Sequence, residues 1–544
     1  MRMSRLTRVA AVTMVLTVVV ATIAADDRKQ FQRWVYCPSN LLVDENIAKL
    51  EQLWRRAAAS GYTHVLLADS KFCRLGELDE RYFRNAKRLI ATAGELKLEI
   101  VPAVFPIGYS NDLLWHDPNL AESLPARDAL FVVHGGAATL QPDPHVALRG
   151  GDFTDLKAWN WHDETVVGDH GAAMVKDPAG KNARLMQKLK VVPFRQYHIS
   201  VRIKTQDFHG TPEVKVLVND RSLVFSNLGT KPTQDWTEHH AVFNSLENTE
   251  VALYLGCWDG QTGSLWWDDA KFEEVGLLNL VRRTGAPLIV KTDDGRELKE
   301  GADFEPVSDP KMGSLPWKGC YDIWHEPPDI RTNLPEGTRL RVSYQHVVTV
   351  YDGQVNICPS EPRTLELLRD QAVRMHKLFG AKAYFMSHDE IRCLNWCDAC
   401  QRRNLDAGAI LADNVRACRK ILREMAPEAR VYVWSDMFDP FHNAVKDYYL
   451  VRGDLKRSWE GLDQDIIIGA WLFDKRAESL KWFADRGHRC LIAGYYDGPP
   501  DSILKWLDAG RAAGNMDGVM YTTWQQKYDD LERFSTSVES TLKR

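Results

Sequence analysis

The chain has few cysteines, no concentrated basic charge and no long apolar run beyond its N-terminus. Its 10 cysteines among 544 residues are too few for the disulfide scaffolds of short secreted domains. A net charge of −5 argues against a nucleic-acid binder, which needs a concentrated basic surface. No internal stretch approaches the ~20 apolar residues of a membrane-spanning helix. The sequence therefore predicts a globular enzyme or binding protein, and its length predicts two or more domains.

The first 25 residues have the pattern of a secretory signal. Three arginines precede an apolar run at residues 9–23, and the small residues Ala24 and Ala25 follow it. The run is short for an uncleaved membrane anchor, so we expect cleavage near Ala24 or Ala25. The mature protein is then expected to be secreted or periplasmic, without membrane attachment.

Apolar β-rich runs alternate with amphipathic helices in two separate parts of the chain. Continuous apolar strands that alternate with helices are typical of a parallel sheet with covered faces, and eight of them indicate a (β/α)8 TIM barrel. An open doubly wound sheet is the alternative, but no glycine-rich phosphate loop follows the first strand. The predicted strands lie near residues 33–39, 63–70, 98–108, 382–389, 430–436, 465–474, 489–498 and 517–526.

A segment of different texture interrupts the predicted barrel after its third strand. Runs of alternating polarity such as "YHISVRIKT" and "TEVALYLGCWD" predict an all-β sandwich there. A further β-rich stretch leads back to the barrel. The predicted organisation is a signal peptide (1–25), a first barrel part with strands one to three (26–149), a sandwich insert (150–276), a further β-rich segment (277–360) and a second barrel part with strands four to eight (361–544).

The sandwich resembles the jelly-roll carbohydrate-binding modules. The resemblance rests on Gly151-Asp152-Phe153 near its start and on Trp266-Trp267-Asp268-Asp269 before its last strand. It implies a jelly-roll fold and leaves open whether the insert binds glycan, since the two tryptophans are expected to pack the sandwich rather than bind sugar. An alternative role for the two aspartates is to ligate a structural calcium ion. The predicted chemistry requires no other cofactor.

One cysteine cluster, in "CLNWCDAC", follows the fourth predicted strand. Cys393, Cys397 and Cys400 can form a local disulfide, supply half of a zinc site or remain free thiols. No second cysteine pair stands at zinc-finger spacing. We expect the cluster to shape a loop, and the sequence assigns no metal ligand.

Catalytic groups of such barrels gather at the C-terminal ends of the strands. Strand four ends in "YFMSHDEIR", which places His388, Asp389 and Glu390 side by side. Tryptophan rings beside carboxylates suit a sugar, because apolar ring faces stack on indoles while hydroxyl groups need acceptors. The sequence therefore predicts a glycan-binding pocket. Its other predicted members are Trp434, Asp436, Trp471, Tyr495, Asp497, Trp524 and Gln526.

The carboxylates also suggest a mechanism. Cleavage of a glycosidic bond needs an acid and a nucleophile, and ordinary retaining enzymes take the nucleophile from a carboxylate on another strand. No glutamate ends strand seven. The adjacent Asp389 and Glu390 therefore indicate a substrate that supplies its own nucleophile, an N-acetyl group.

The strand-four sequence resembles the Gly-Gly-Asp-Glu signature of glycoside hydrolase family 20, the β-N-acetylhexosaminidases. Ser387-His388 stands in place of the two glycines, and Asp389-Glu390 match. The family's Tyr-x-Asp and Trp-x-Glu motifs are similar to Tyr495-x-Asp497 and Trp524-x-Gln526, and Trp434 and Trp471 stand where the family has pocket tryptophans.

The resemblance implies roles for these residues. Glu390 would be the general acid and later the base, and Asp389 would orient the acetamido nitrogen and stabilise the oxazolinium charge. Tyr495 would donate to the acetamido oxygen, while Asp497 and Gln526 would hold sugar hydroxyls. The implied substrate is a glycan carrying N-acetylglucosamine or N-acetylgalactosamine.

The sequence departs from the family pattern in three respects. Gln526 replaces a glutamate, the first strand "WVYCPSN" lacks the family's arginine, and the large insert follows strand three. These departures fit a distant member or a sister family with the same assisted mechanism, such as the β-N-acetylgalactosaminidases of family 123. The alternatives are a hydrolase of another sugar and a catalytically inactive glycan-binding protein. His388 is either a substrate-binding or a structural residue, and Asp436 either lines the pocket or caps a loop.

Overall fold

The first part of the chain forms three parallel strands with helices between them. The structure, a computed structural model, describes residues 31–351 and 353–543, so the predicted signal peptide lies outside the described residues. The first helix buries the apolar face that its periodicity predicts, with Ile47, Leu50 and Trp54 against the barrel. The elements are β1 (Gln32–Pro38), α1 (Asp44–Ala59), β2 (His64–Ala68), α2 (Glu80–Leu96), β3 (Glu99–Val104) and α3 (Asn111–Leu114).

Two antiparallel sheets follow. The five-stranded sheet has the order β14-β16-β4-β5-β15, and the remaining eight strands form a branched sheet in which the long strands β10 and β13 pair with each other. The strands are β4 (Leu124–His134), β5 (Ala137–Leu140), β6 (Trp161–His162), β7 (Val166–Asp169), β8 (Ala172–Lys176), β9 (Lys181–Lys190), β10 (Gln196–Val218), β11 (Arg221–Asn227), β12 (Gln234–Asn244), β13 (Glu250–Val275), β14 (Ile289–Thr292), β15 (Ile330–Arg331) and β16 (Arg339–His346).

Strands β4 and β5 differ from the sequence-based assignment, which gave residues up to 149 to the barrel. β4 pairs antiparallel with β16, with Phe131 opposite Leu340, and β5 pairs with β4. β16 lies about 200 residues further along the chain than β4, a separation that local strand patterns do not reveal.

The last part of the chain supplies the other five barrel strands. The closed barrel has the order β1-β2-β3-β17-β19-β21-β22-β23, and every pair is parallel. The elements are α4 (Pro362–Phe379), β17 (Ala383–Met386), β18 (Cys393–Leu394), α5 (Asp398–Gln401), α6 (Ala407–Met425), β19 (Arg430–Trp434), β20 (Leu450–Val451), β21 (Ile466–Ala470), α7 (Arg476–Ala484), β22 (Cys490–Ala493), α8 (Ser502–Ala513), β23 (Met516–Tyr521) and α9 (Leu531–Leu542).

The branched sheet packs on the loops that follow β17 and β19. Trp396 and Leu450 from these loops belong to the same buried apolar cluster as the interior of the sheet. The Arg221 side chain of β11 donates to the backbone oxygens of Tyr449, at 2.5 Å, and Val451, at 3.2 Å. The insert therefore covers one side of the barrel end where the predicted site lies.

Within the described residues, no helix has the length and apolarity that crossing a membrane requires.

Candidate active site

A cavity of about 660 Å³ opens at the C-terminal end of the barrel. Its wall combines carboxylates with aromatic rings, as the strand ends predict. Every barrel strand except β21, β22 and β23 contributes a residue from its own span, and the following loops supply the rest. The principal lining residues are Tyr36, Tyr109, Tyr351, Asp389, Glu390, Arg392, Trp434, Trp471, Tyr496, Asp497 and Trp524.

Glu390 is held by contacts on both its backbone and its side chain. Its φ of 48° is a left-handed conformation that non-glycine residues rarely adopt. The backbone N–H donates to Asp436 Oδ2 at 2.8 Å, and the backbone oxygen accepts from Gln354 at 2.8 Å. The carboxylate pairs with Arg392 at 2.8 Å and accepts from the Tyr109 hydroxyl. These contacts fix the direction in which the carboxylate enters the cavity.

Two further acids, Asp389 and Asp436, lie beside Glu390. Burial raises the pKa of Asp389 to about 8, and the negative charges of Asp436 and Glu390 act in the same direction. Burial also raises the pKa of Asp436 to about 6. Neighbouring carboxylates disfavour each other's ionisation, so Asp389 retains a proton near neutral pH.

Asp436 itself lies beneath the cavity and does not line it. Its side chain is fully buried. It accepts from the Glu390 backbone at 2.8 Å, from Asn443 at 3.0 Å and from Trp471 Nε1 at 3.4 Å. The geometry makes it a positioning residue for Glu390 and Trp471, in place of the direct substrate contact that the sequence predicted.

Three tryptophans and one tyrosine form the apolar wall. Trp434 and Trp524 lie 6.0 Å apart between ring centroids, and Trp471 is nearly parallel to Tyr496 at 5.9 Å. Trp524 and Tyr496 are 41% and 54% exposed. Open ring faces beside acids are the arrangement that binds a sugar ring.

Tyr495 is a correction to the predicted site. Its ring stacks on Tyr521 at 4.0 Å, and its hydroxyl donates to Asp530 at 3.4 Å, so it packs between the barrel and α9. Successive side chains of an extended segment point to opposite sides. The next residue, Tyr496, consequently lines the cavity.

His388 is the second correction, for the same reason of side-chain alternation. It is fully buried, and its Nε2 lies 3.0 Å from Asn414 Oδ1 on α6, outside the barrel wall. Burial lowers its pKa to about 4. His388 is therefore a neutral structural residue, and substrate binding by it is excluded by its position.

Asp497 and Gln526, which the family resemblance assigned to sugar hydroxyls, have other surroundings in the structure. Asp497 lines the cavity, but its carboxylate accepts from the backbones of Trp524 at 2.7 Å and Gln525 at 3.2 Å and from the Thr523 hydroxyl. It thus ties the loop after β22 to the loop after β23. Gln526 lines a neighbouring cavity of about 470 Å³, and Gln525 lines the main one.

Several cavity residues were not singled out by the sequence. Arg392 stands two residues after Glu390 in "HDEIR", so its spacing was a usable signal. Tyr109 follows the end of β3 and Tyr351 returns from the insert, where no motif marks them. Arg392 places a cation in the cavity, although the first strand lacks the arginine that the family resemblance requires.

The aspartates proposed for calcium have other partners. Asp269 pairs with Arg202 at 3.1 Å, and Asp268 accepts from the Asp269 backbone at 2.8 Å. Trp267 is fully buried in the sandwich core, and Trp266 donates from Nε1 to Asp169 at 2.8 Å. Both tryptophans therefore pack or brace the sandwich.

No protein-family model matches the chain, and no curated protein matches it. Among solved structures, a rhamnosidase from Novosphingobium sp. PP1Y is 13% identical over 91% of this chain and 55% of its own, with a TM-score of 0.32. A family 20 chitobiase from Flavobacterium johnsoniae is 13% identical over 33% of this chain and 29% of its own, with a TM-score of 0.24. A family 4 carbohydrate-binding module is 16% identical over 24% of this chain and 84% of its own, with a TM-score of 0.19.

This chain thus spans about half or less of the length of the two enzymes it is similar to. Every TM-score is below 0.5 and every identity is below 25%. Such likenesses assign no activity to the chain, and its function has to follow from the cavity.

Proposed function

We propose that the protein is a glycoside hydrolase that removes an N-acetylhexosamine, N-acetylglucosamine or N-acetylgalactosamine, from glycans. The observation that carries the proposal is the adjacent pair Asp389 and Glu390 on the floor of a tryptophan-lined cavity at the end of the barrel strands. A cavity of this size accommodates a sugar ring with its aglycone, and its mixed lining suits a ligand with one apolar face and many hydroxyl groups.

The proposed reaction uses the substrate's acetamido oxygen as the nucleophile. That oxygen attacks C1, the glycosidic C–O bond breaks, and Glu390 donates its proton to the leaving oxygen. Glu390 then accepts a proton from water, whose oxygen attacks C1 of the oxazolinium intermediate and restores the acetamide. Two displacements at C1 retain the anomeric configuration.

Asp389 orients the acetamido N–H and stabilises the positive charge of the oxazolinium ring. In the free protein, its raised pKa keeps a proton on Asp389 near neutral pH. An amide N–H that donates to Asp389 stabilises its anion. Substrate binding then leaves the proton of the pair for Glu390 to donate, and Asp436 keeps Glu390 in place.

Trp434, Trp471 and Trp524 hold the sugar by its apolar faces, and Tyr496 donates to the acetamido oxygen. Tyr496 takes the role that the family resemblance assigned to Tyr495, because Tyr496 is the tyrosine after β22 that faces the cavity. Arg392 and Tyr109 set the orientation of Glu390 through direct contacts with its carboxylate.

The test is turnover of aryl β-glycosides of N-acetylglucosamine and N-acetylgalactosamine by the purified mature protein. Glu390→Gln and Asp389→Asn each lower kcat/KM by roughly 100- to 10,000-fold, the usual contribution of a positioned acid or base. Asp268→Asn, on the sandwich surface, is the control and retains activity. Absence of release from both glycosides by the folded wild-type protein would contradict the proposal, and glycan binding without release would then favour a binding protein.

A further inference from the structure

A cluster of potential metal ligands lies outside the cavity, where the insert leaves and re-enters the barrel. Cys358, Cys397 and Cys400 meet Glu122, and their ligand atoms all lie within 4.8 Å of one another. The three cysteines are fully buried, and Glu122 is 2% exposed. Glu122 and Cys358 are far from the Cys-x-x-Cys pair in the sequence, so only the fold brings the four together.

We propose that these four residues bind a structural zinc ion. A tetrahedral zinc site with Zn–S bonds of about 2.3 Å separates its sulfur atoms by about 3.8 Å. The Cys358 sulfur lies 3.4 Å from that of Cys397 and 3.6 Å from that of Cys400. Glu122 Oε2 lies 3.7 Å from the Cys397 sulfur and 3.4 Å from the Cys400 sulfur. These four spacings are close to the edges of such a tetrahedron, and the other two are below 4.8 Å.

The two oxygens of Glu122 have different surroundings. Oε1 accepts from the backbone N–H groups of Trp396, at 2.9 Å, and Cys397, at 3.0 Å. Oε2 faces the Cys397 and Cys400 sulfurs, which are weak donors as thiols. A buried carboxylate needs a strong partner, and a cation among three thiolates supplies one. The backbone contacts of Oε1 thus orient Oε2 toward the proposed ion.

The charge and chemistry of the cluster favour zinc. Thiolates select soft or borderline metals, and a fourth ligand oxygen in a tetrahedral set suits zinc. Four protein ligands leave no open position, which is typical of a structural rather than a catalytic site. The buried Arg283 guanidinium interacts electrostatically with Cys358, Cys397 and Glu122. Its positive charge offsets part of the negative charge that three thiolates and a carboxylate leave on a divalent ion.

The proposed ion would fasten three segments that meet beside the candidate active site. The outgoing segment at Leu120 and Glu122 pairs with the returning segment at Asn356 and Cys358 through backbone bonds of 2.8 and 2.7 Å. The third segment carries Cys397 and Cys400 and follows Glu390 in the loop after β17. Zinc would therefore fix both ends of the insert to the loop that bears the proposed acid.

A disulfide is the rival, because the protein is expected to be exported and oxidising compartments favour disulfides. Any single disulfide among the three cysteines would leave the third sulfur and Glu122 without a common partner. The three sulfurs and the carboxylate converge on one point, which a disulfide does not require.

Metal analysis of the purified full-length mature protein tests the proposal. We expect about one zinc per chain and, by X-ray absorption at the zinc edge, three sulfur neighbours at about 2.3 Å with one oxygen at about 2.0 Å. Chelation should lower Tm and zinc should restore it. Failure to bind zinc, both as purified and after reduction and zinc addition, would overturn the proposal, as would a mass measurement showing a native disulfide among these cysteines.

Two variants and a control separate ligation from folding. Glu122→Gln keeps the side-chain shape and an oxygen for the backbone N–H groups, and it should weaken zinc affinity by roughly 100-fold or more. Cys400→Ser should lose the metal. Cys320→Ser, at a half-buried cysteine outside the cluster, should keep one zinc. A folded Glu122→Gln protein with unchanged zinc affinity would contradict the assigned ligand set.

Discussion

Alternation of side chains along the strand ends decides which residues reach the cavity. At the end of β17, Asp389 faces the cavity while His388 faces α6. After β22, Tyr496 faces the cavity while Tyr495 faces α9. A motif identifies the strand end, but the twist of the backbone decides which of two neighbours turns inward. At these two strand ends, the residue predicted from the sequence and the residue that lines the cavity differ by at most one position.

The two tyrosines provide a matched pair of variants. Tyr496→Phe should lower kcat by roughly 100-fold, because a donor to the developing charge of the acetamido oxygen is lost. Tyr495→Phe should leave kcat unchanged and cost about 1 kcal/mol of stability through its hydrogen bond to Asp530. Steady-state kinetics and thermal unfolding of both variants check this. The reverse order of effects on kcat would restore Tyr495 to the site.

The raised pKa of Asp389 predicts a dependence of stability on pH. Its pKa is about 8 in the folded protein against an ordinary value of 3.8, so between these values the folded state binds more protons than the unfolded state. The free energy of unfolding then decreases as pH rises through this window. Asp389→Asn removes the titrating group at this position, so the free energy of unfolding should decrease less steeply with pH in this variant.

Denaturant unfolding at several pH values between 4 and 8 measures this effect. Asp474→Asn removes an exposed carboxylate in the loop after β21 and serves as the control. Its stability should depend on pH as steeply as that of the wild type. An Asp389→Asn protein whose stability falls with pH as steeply as the wild type would show that Asp389 does not hold the proton.

At the scale of elements, the loops after β3 and β17 touch through their backbones. A Cβ atom added at Gly108 would lie 1.7 Å from the carbonyl oxygen of Asp389. The glycine therefore permits the approach that brings Tyr109 to Glu390. Gln354 connects the same loops, because its side chain donates to the backbone oxygens of Gly108 and Glu390.

Gly108→Ala should disturb this contact, and Gly94→Ala is its control. The first substitution forces the two loops apart and should destabilise the protein by roughly 1 to 3 kcal/mol, with a loss of turnover. Gly94 lies in α2 with no atom near its Cβ position, so alanine there should add up to about 1 kcal/mol of stability. Thermal unfolding with activity assays checks both. An active, stable Gly108→Ala protein would contradict the tight contact.

The elements differ in how well the sequence predicts them. The β17 region, "KAYFMSHD", is a continuous apolar run with a helix on each side, and the closed parallel barrel that such runs predict is confirmed. β4 was not recognised as part of another sheet, because its partner β16 lies about 200 residues further along. The meeting of Glu122 with Cys358 depends on another long-range pairing, in which Ala121 lies opposite Ile357. Local patterns predict strands, and pairing between distant strands requires the fold.

At the scale of the whole molecule, the insert and the barrel form one packed unit around the site. Arg221 of the sandwich holds the loop that follows β19, and Trp396 packs into the sandwich core from the loop that follows β17. Tyr351, on the returning segment of the insert, lines the cavity. The insert thus contributes to the wall of the candidate site, which a barrel considered alone would lack.

The most direct test of the account compares aryl β-glycosides whose 2-acetamido group carries zero, one, two or three fluorine atoms. Fluorine withdraws electron density from the acetamido oxygen and makes it a weaker nucleophile. If that oxygen attacks C1, kcat/KM of the wild-type protein falls steeply with each fluorine. Equal rates across the series, or no release from the unfluorinated substrate, would contradict the proposed substrate-assisted cleavage.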